Sequence, residues 1–226
     1  MTKNSCGEPP PFCTPNCCPR NSDAPDVRTA LPLGNAHVKG PIPDYLIEGM
    51  KIVDPCVQKQ NLINGHKVPS FGLQSFGYDA TLDQEEFYAF SNVSGGIVDP
   101  RNFDKNLLVK MAPKTDEDGL LYFIVPSNGT ALGLTRETFH GPTTTIGMVF
   151  GKSTYSRCAL VINCTLLEPG WNGRLVMELH NSSPIPIKVY ANAGICQIVF
   201  LNGTQPHKDY GDGKYQNQQE LLTARM

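Results

Sequence analysis

Residues 174–200 contain Arg174-Leu175-Val176-Met177-Glu178-Leu179, then Ile187-Lys188-Val189-Tyr190, then Cys196-Gln197-Ile198-Val199-Phe200. Each run has the length of a strand, is rich in β-branched or aromatic side chains, and is bounded by Gly, Pro, Asn or Ser. Working outward, the same texture begins near residue 68. It recurs at Tyr78–Leu82, Glu86–Phe90, Leu120–Val125, Thr145–Phe150 and Ala159–Ile162. Many short strands in one domain predict an all-β fold: a sandwich, a jelly roll or a distorted barrel. A short helix is predicted from Pro43, with Asp44 near its start and Gly49 near its end. No internal repeat is visible.

A chain of 226 residues has room for one domain plus an extension. A core of that size needs neither disulfides nor metal. Residues 1–40 are rich in Pro, Asn, Ser and Gly without an apolar period, so a disordered prefix is expected ahead of a domain at 41–226. The ending, Lys208 to Met226, is polar and expected to be flexible. A net charge of -2 gives no whole-protein attraction to nucleic acid or an anionic membrane, so neither is an expected partner. No run of ~18 apolar residues is present, and the start does not read as a secretory signal, so a cytoplasmic location is expected. Of the eight cysteines, Cys6, Cys13, Cys17 and Cys18 crowd the prefix. Cys13-x3-Cys17-Cys18 lacks a matched second pair or a His partner, so no metal site is assigned there. Cys56, Cys158, Cys164 and Cys196 read as small buried hydrophobes.

The common catalytic signatures are missing. There is no Gly-x-Ser-x-Gly elbow, no phosphate-cradling Gly-x4-Gly-Lys loop and no His-Glu-x-x-His pair. The zinc deaminase pattern, His-x-Glu with Pro-Cys-x-x-Cys, is absent as well. His37, His66, His140, His180 and His207 lie far apart without ligand spacing. The remaining chemistry gathers between residues 151 and 218. Gly151-Lys152-Ser153-Thr154-Tyr155-Ser156-Arg157 sets two cations and several hydroxyls at the end of a strand, a segment suited to phosphate and equally to a polar turn. Glu178 sits in an apolar strand. Alternation puts Arg174, Val176 and Glu178 on one face, with Leu175, Met177 and Leu179 on the other. A solvated face and a pocket carboxylate with a raised pKa both fit that pattern.

A resemblance adds to this reading. Gly151–Cys158 resembles the GKSTYAR-C segment of one branch of the dCTP deaminases, within the trimeric dUTPase-like superfamily. Asn163–Gly173 is similar to that branch's NVTPLEPEWEG, and Val176–Leu179 to the strand bearing the family's catalytic glutamate. Lys188–Gln197 resembles KIYANEG-AQ, and Gly213–Gln218 resembles GKYQGQ. Upstream, Ser75–Asp79 and Ile97–Phe103 match SYGYD and IVDPKNF. The similarity runs in order across roughly residues 45 to 218.

This resemblance implies a homotrimer of distorted β-barrel subunits (the dUTPase-like β-clip) with nucleotide sites between subunits. It also implies zinc-independent conversion of dCTP to dUTP and ammonia. Glu178 would be the general base, with Ser153 and Arg157 positioning water and stabilising charge. Lys152, Ser153, Thr154, Tyr155, Ser156, Arg157, Val176, Met177, Gln197, Tyr210, Lys214 and Gln218 would complete the nucleotide contacts. Magnesium would enter bound to the triphosphate, with no protein metal site, and dTTP would inhibit by feedback as in the family.

Glu168 falls where related dUTPases carry a water-activating aspartate, so a bifunctional enzyme yielding dUMP is an alternative. Further alternatives are a dUTPase, a variant acting on dCMP or a modified cytosine, and a non-enzymatic nucleotide-binding trimer. The chain departs from the branch at Ser156, in place of Ala, and at Leu166, in place of Pro. Residues 219–226 also lack its GVTLPK-like tail.

Overall fold

The computed structural model describes residues 40–91 and 96–225. The expected disordered prefix therefore lies, but for Gly40, outside the described residues. Among those described, strands dominate. In chain order they are β1 (Gly40–Pro41), β2 (Val53–Asp54), β3 (Gln60–Ile63), β4 (His66–Leu73), β5 (Tyr78–Phe90), β6 (Leu108–Lys110) and β7 (Lys114–Thr115). Then come β8 (Leu121–Val125), β9 (Thr130–His140), β10 (Thr145–Gly151), β11 (Leu160–Asn163), β12 (Asn172–Asn181), β13 (Ile187–Tyr190) and β14 (Gly194–Asn202). Helix α1 spans Asp44–Gly49, as its Asp and Gly predict, and a single turn, α2, spans Ser153–Ser156.

The main sheet runs β1-β14-β5-β9-β12-β11, with β10 also pairing β14, and β4 and β6 also pairing β5. A smaller sheet, β13-β8-β7, packs against it, with Phe87 and Phe123 stacked at 4.4 Å between the two. The strand pairings are antiparallel, and bulges in β5, β9 and β14 interrupt the register. Such bulges bend and twist a sheet until it wraps around its own core. That core is filled by Tyr78, Leu82, Phe87, Phe139, Met177, Leu179 and Ile198, each essentially without solvent contact. Gly194 is required at the β4–β14 crossing: a Cβ there would lie 1.8 Å from the Ser70 carbonyl oxygen.

Besides the two- and three-residue strands β1, β2, β6 and β7, the β3–β4 hairpin and β9 escape the strand count made from sequence. The β3–β4 hairpin turns at Asn64-Gly65, both with positive φ (52° and 84°), the combination a tight two-residue turn demands. Strand β9, central to the sheet, is punctuated by Gly133, Thr135, Arg136 and Glu137, which masks its period. Part of the ending lies against the barrel. Gln218 is buried, pairs in parallel with Gly173, and its side-chain amide donates to the Arg174 carbonyl at 2.8 Å.

Candidate active site

Glu178 belongs to the half-exposed face of β12, where Asn172, Arg174 and Val176 alternate with buried Gly173, Leu175, Met177 and Leu179. The neighbouring strands complete a row across the sheet. Asn163 of β11 stands opposite Glu178, Glu178 opposite Leu132 of β9, and Leu132 opposite Tyr88 of β5. Residues opposed in this way lie side by side on one face. One flank of the carboxylate is thus apolar, the other an amide, and Asn163 Nδ2 donates to Glu178 Oε2 at 3.5 Å. Burial holds the Glu178 carboxyl above the ordinary glutamate range, opposed by hydrogen bonds from its own backbone and from Asn163.

This face floors a cavity of about 610 Å³. Leu132, Val176, Phe90 and Phe103 supply apolar wall. Glu168, Tyr210, Lys214 and Gln218 bring polar groups to the same space. The turn carrying Glu168 and the chain ending form one hydrogen-bonded clasp. Trp171 Nε1 donates to the Tyr215 carbonyl at 2.9 Å, and the Tyr210 N–H to the Pro169 carbonyl at 2.8 Å. Gln216 accepts from the Asn172 N–H at 2.7 Å and donates to the Gly170 carbonyl at 2.8 Å. Leu222, Thr223 and Ala224 then run along the cavity's edge.

The segment 152–157 is elsewhere. None of its residues lines the cavity. Helix α2 precedes the Leu160 end of β11, whereas Glu178 faces the Asn163 end, about 10 Å further along at ~3.4 Å per residue. Ser153, Thr154, Ser156 and Arg157 are exposed, and Arg157 makes no ion pair among the described residues. Lys152 behaves differently, with its ammonium turned inward to Asp79 and Ser70. Gln197 lies at that same end, opposite both Phe150 and Asp79 in the strand register.

Two of the expected nucleotide contacts are core side chains here. Tyr155 is buried, and its hydroxyl accepts from the Tyr190 N–H at 3.0 Å. Met177 has no exposed surface and points to the opposite face from Glu178. Both positions pack the barrel beneath the more exposed residues that flank them. The structure thus gathers Val176, Glu178, Glu168, Tyr210, Lys214 and Gln218 in one place. It displays Ser153, Thr154, Ser156 and Arg157 in another.

Asn163, Leu132 and Tyr88 were not singled out from the sequence. Only the strand register brings them beside Glu178. Glu137 was likewise unseen. It is buried, accepts from the Thr81 N–H and hydroxyl at 2.9 Å each, and burial pushes its carboxyl up to about 7.

The class of protein defined so far is a bent all-β chain with a carboxylate-floored cavity, and the known proteins this chain is similar to narrow it. The dCTP deaminase-like family profile matches residues 48–203. A dCTP deaminase of Wolbachia sp. subsp. Brugia malayi (strain TRS) is 42% identical over 174 residues, covering 76% of this chain and 88% of its own. That of Acidobacterium capsulatum is 40% identical over 188 residues, covering 82% and 96%. A solved 2'-deoxycytidine 5'-triphosphate deaminase from Agrobacterium tumefaciens superposes with a TM-score of 0.50 at 15% identity, over 73% of this chain. This chain spans about half of that one, 48%, and the likeness is one of fold. The chain belongs to the dCTP deaminase-like family.

Proposed function

We propose that this protein deaminates dCTP, adding water at C4 of cytosine and releasing ammonia to leave dUTP, with Glu178 as general base and without zinc. One observation carries the reading. Glu178 is a carboxylate of raised proton affinity, set between an amide and an apolar wall on the floor of a nucleotide-sized cavity. A carboxylate so placed can take the proton from attacking water and return it to the departing amine. Atoms balance as dCTP plus water to dUTP plus ammonia. Val176 and Leu132 exclude bulk water, while Tyr210, Lys214 and Gln218 bound the side where sugar and phosphates would lie. Magnesium arrives on the triphosphate and counts as part of the substrate.

The separation of segment 152–157 from the cavity supports a site shared between copies. In a ring of identical subunits a heterologous contact can present one copy's Ser153 and Arg157 to the next copy's Glu178. Exposed Met148, Phe150 and Val161, on β10 and β11 near α2, supply apolar surface for that contact. We take the assembly to be the homotrimer that the family resemblance implies. Glu168 lines the same cavity as Glu178, which favours one second reading: hydrolysis at the α-phosphate in the same site, giving dUMP and pyrophosphate.

A single assay separates these readings. The purified chain is given dCTP, dCMP or dUTP with magnesium, and ammonia, phosphate and pyrophosphate are measured. Ammonia from dCTP with dUTP accumulating is the expected result. Pyrophosphate and dUMP would support the bifunctional reading, and no ammonia from any substrate would sink both.

A further inference from the structure

Lys152 opens the segment read above as phosphate-binding, yet its charge is already occupied. Its Nζ is 2.5 Å from Asp79 Oδ2 and 3.1 Å from Ser70 Oγ, and Ser70 Oγ also donates to Asp79 Oδ2 at 3.2 Å. The two charged side chains keep only 11% and 3% of their surface exposed. Among the described residues the other Asp79 oxygen, Oδ1, is buried without a partner, and Lys152 is the only cation paired with this carboxylate. Taking both charges out of water is costly, and the best-attested use of such a pair is to fix one register among alternatives.

The register at stake is that of the phosphate segment. Asp79 lies on β5 opposite Gln197 of β14, and Gln197 stands opposite Phe150 of β10. Ser70 comes from β4, which crosses β14 closely enough that only glycine fits at 194. Three strands therefore converge on the residue immediately before α2. The Lys152 carbonyl also accepts from the N–H groups of Tyr155 and Ser156 and from the Ser156 hydroxyl, so the lysine is bonded to the turn at its base. Fixing Lys152 fixes the direction in which Ser153 and Arg157 project.

We propose that Lys152 is a positioning residue, not a phosphate ligand: Asp79 and Ser70 hold its ammonium inside the barrel to aim the exposed Ser153–Arg157 turn. The inference rests on reading 151–157 as the phosphate segment.

The test uses the full chain as wild type, Lys152→Met, Asp79→Asn and the double variant. Each is checked for folding by circular dichroism, titrated calorimetrically with dCTP and dCDP, and assayed for ammonia release. Positioning predicts that Lys152→Met weakens both nucleotides by the same factor, since no bond to one phosphate is lost. Turnover per folded subunit should fall on the order of tenfold or more, the cost of misplacing a reacting group. Asp79→Asn in the same chain should then recover part of the loss, because the stranded buried charge is gone. Direct ligation predicts the reverse: a loss concentrated in dCTP over dCDP, undiminished in the double variant. That result overturns the proposal.

Should the charge variants not fold, Ser70→Ala decides, since it frees the ammonium from one partner without unpairing a buried charge. Positioning predicts equal weakening of dCTP and dCDP with slower turnover, and wild-type behaviour overturns it. A folded wild type that binds both nucleotides but releases no ammonia counts against the deaminase reading alone, and the binding ratios still decide for Lys152. Failure of the wild type to bind either nucleotide overturns both.

Discussion

Asn163 and Glu178 face each other across the β11–β12 pairing, and the amide of the first donates to the carboxylate of the second. This bond favours the charged form of Glu178, whereas burial opposes it. A general base must be ionised to act, so the balance sets the acid limb of activity. In wild type that limb should lie above the ordinary glutamate range. Asn163→Ala removes a donor to the carboxylate and should move the limb of kcat/KM to higher pH. Rates measured from pH 4 to pH 9 check this, and a limb that moves down would mean the bond does not act on Glu178.

Glu137 makes a prediction about stability that is separate from catalysis. Its carboxyl rises from 4.5 to about 7 in the folded chain because burial disfavours the charge. Between those values the native state keeps a proton that the unfolded chain has released. Its contribution is therefore full below pH 4.5 and lost as pH rises through 7. The shift corresponds to roughly 3 kcal/mol. Glu137→Gln retains an acceptor for the Thr81 N–H and offers its amide to the Thr81 hydroxyl without the charge. Urea unfolding should show the variant gaining on wild type as pH rises from 4.5 to 7. Parallel stability curves would contradict this.

The distance between Arg157 and Glu178 within one chain leads to a mixing experiment. Arg157→Ala and Glu178→Gln should each be nearly inactive alone. Unfolded together in equal amounts and refolded, they form some sites that take Glu178 from one parent and Arg157 from the other. Random assembly of a closed ring predicts about a quarter of wild-type activity. No recovery would place both residues in one subunit's site.

Much of the sheet is legible in the order of residues, for physical reasons that also mark the limit. Val176, Met177 and Glu178 alternate as a strand requires, and the face bearing Glu178 is indeed the half-exposed one. The Asn64-Gly65 turn follows the same kind of rule and was available to it. Pairing across long separations is different. Thr81 and Glu137 are 56 residues apart, and Asp79 and Lys152 are 73 apart. In a local window Glu137 reads as a solvated charge and Lys152 as a surface cation. Only the register shows them buried and bound. The cavity is less legible still, because its walls come from β9, β12, the Glu168 turn and the chain ending together.

Glu178→Gln preserves the shape and the Asn163 contact while removing the proton acceptor. With Glu178 as the general base, the variant should fold, bind dCTP as wild type does and release ammonia about two to four orders of magnitude more slowly. Ammonia release from dCTP at a rate close to wild type would show that another group activates the water.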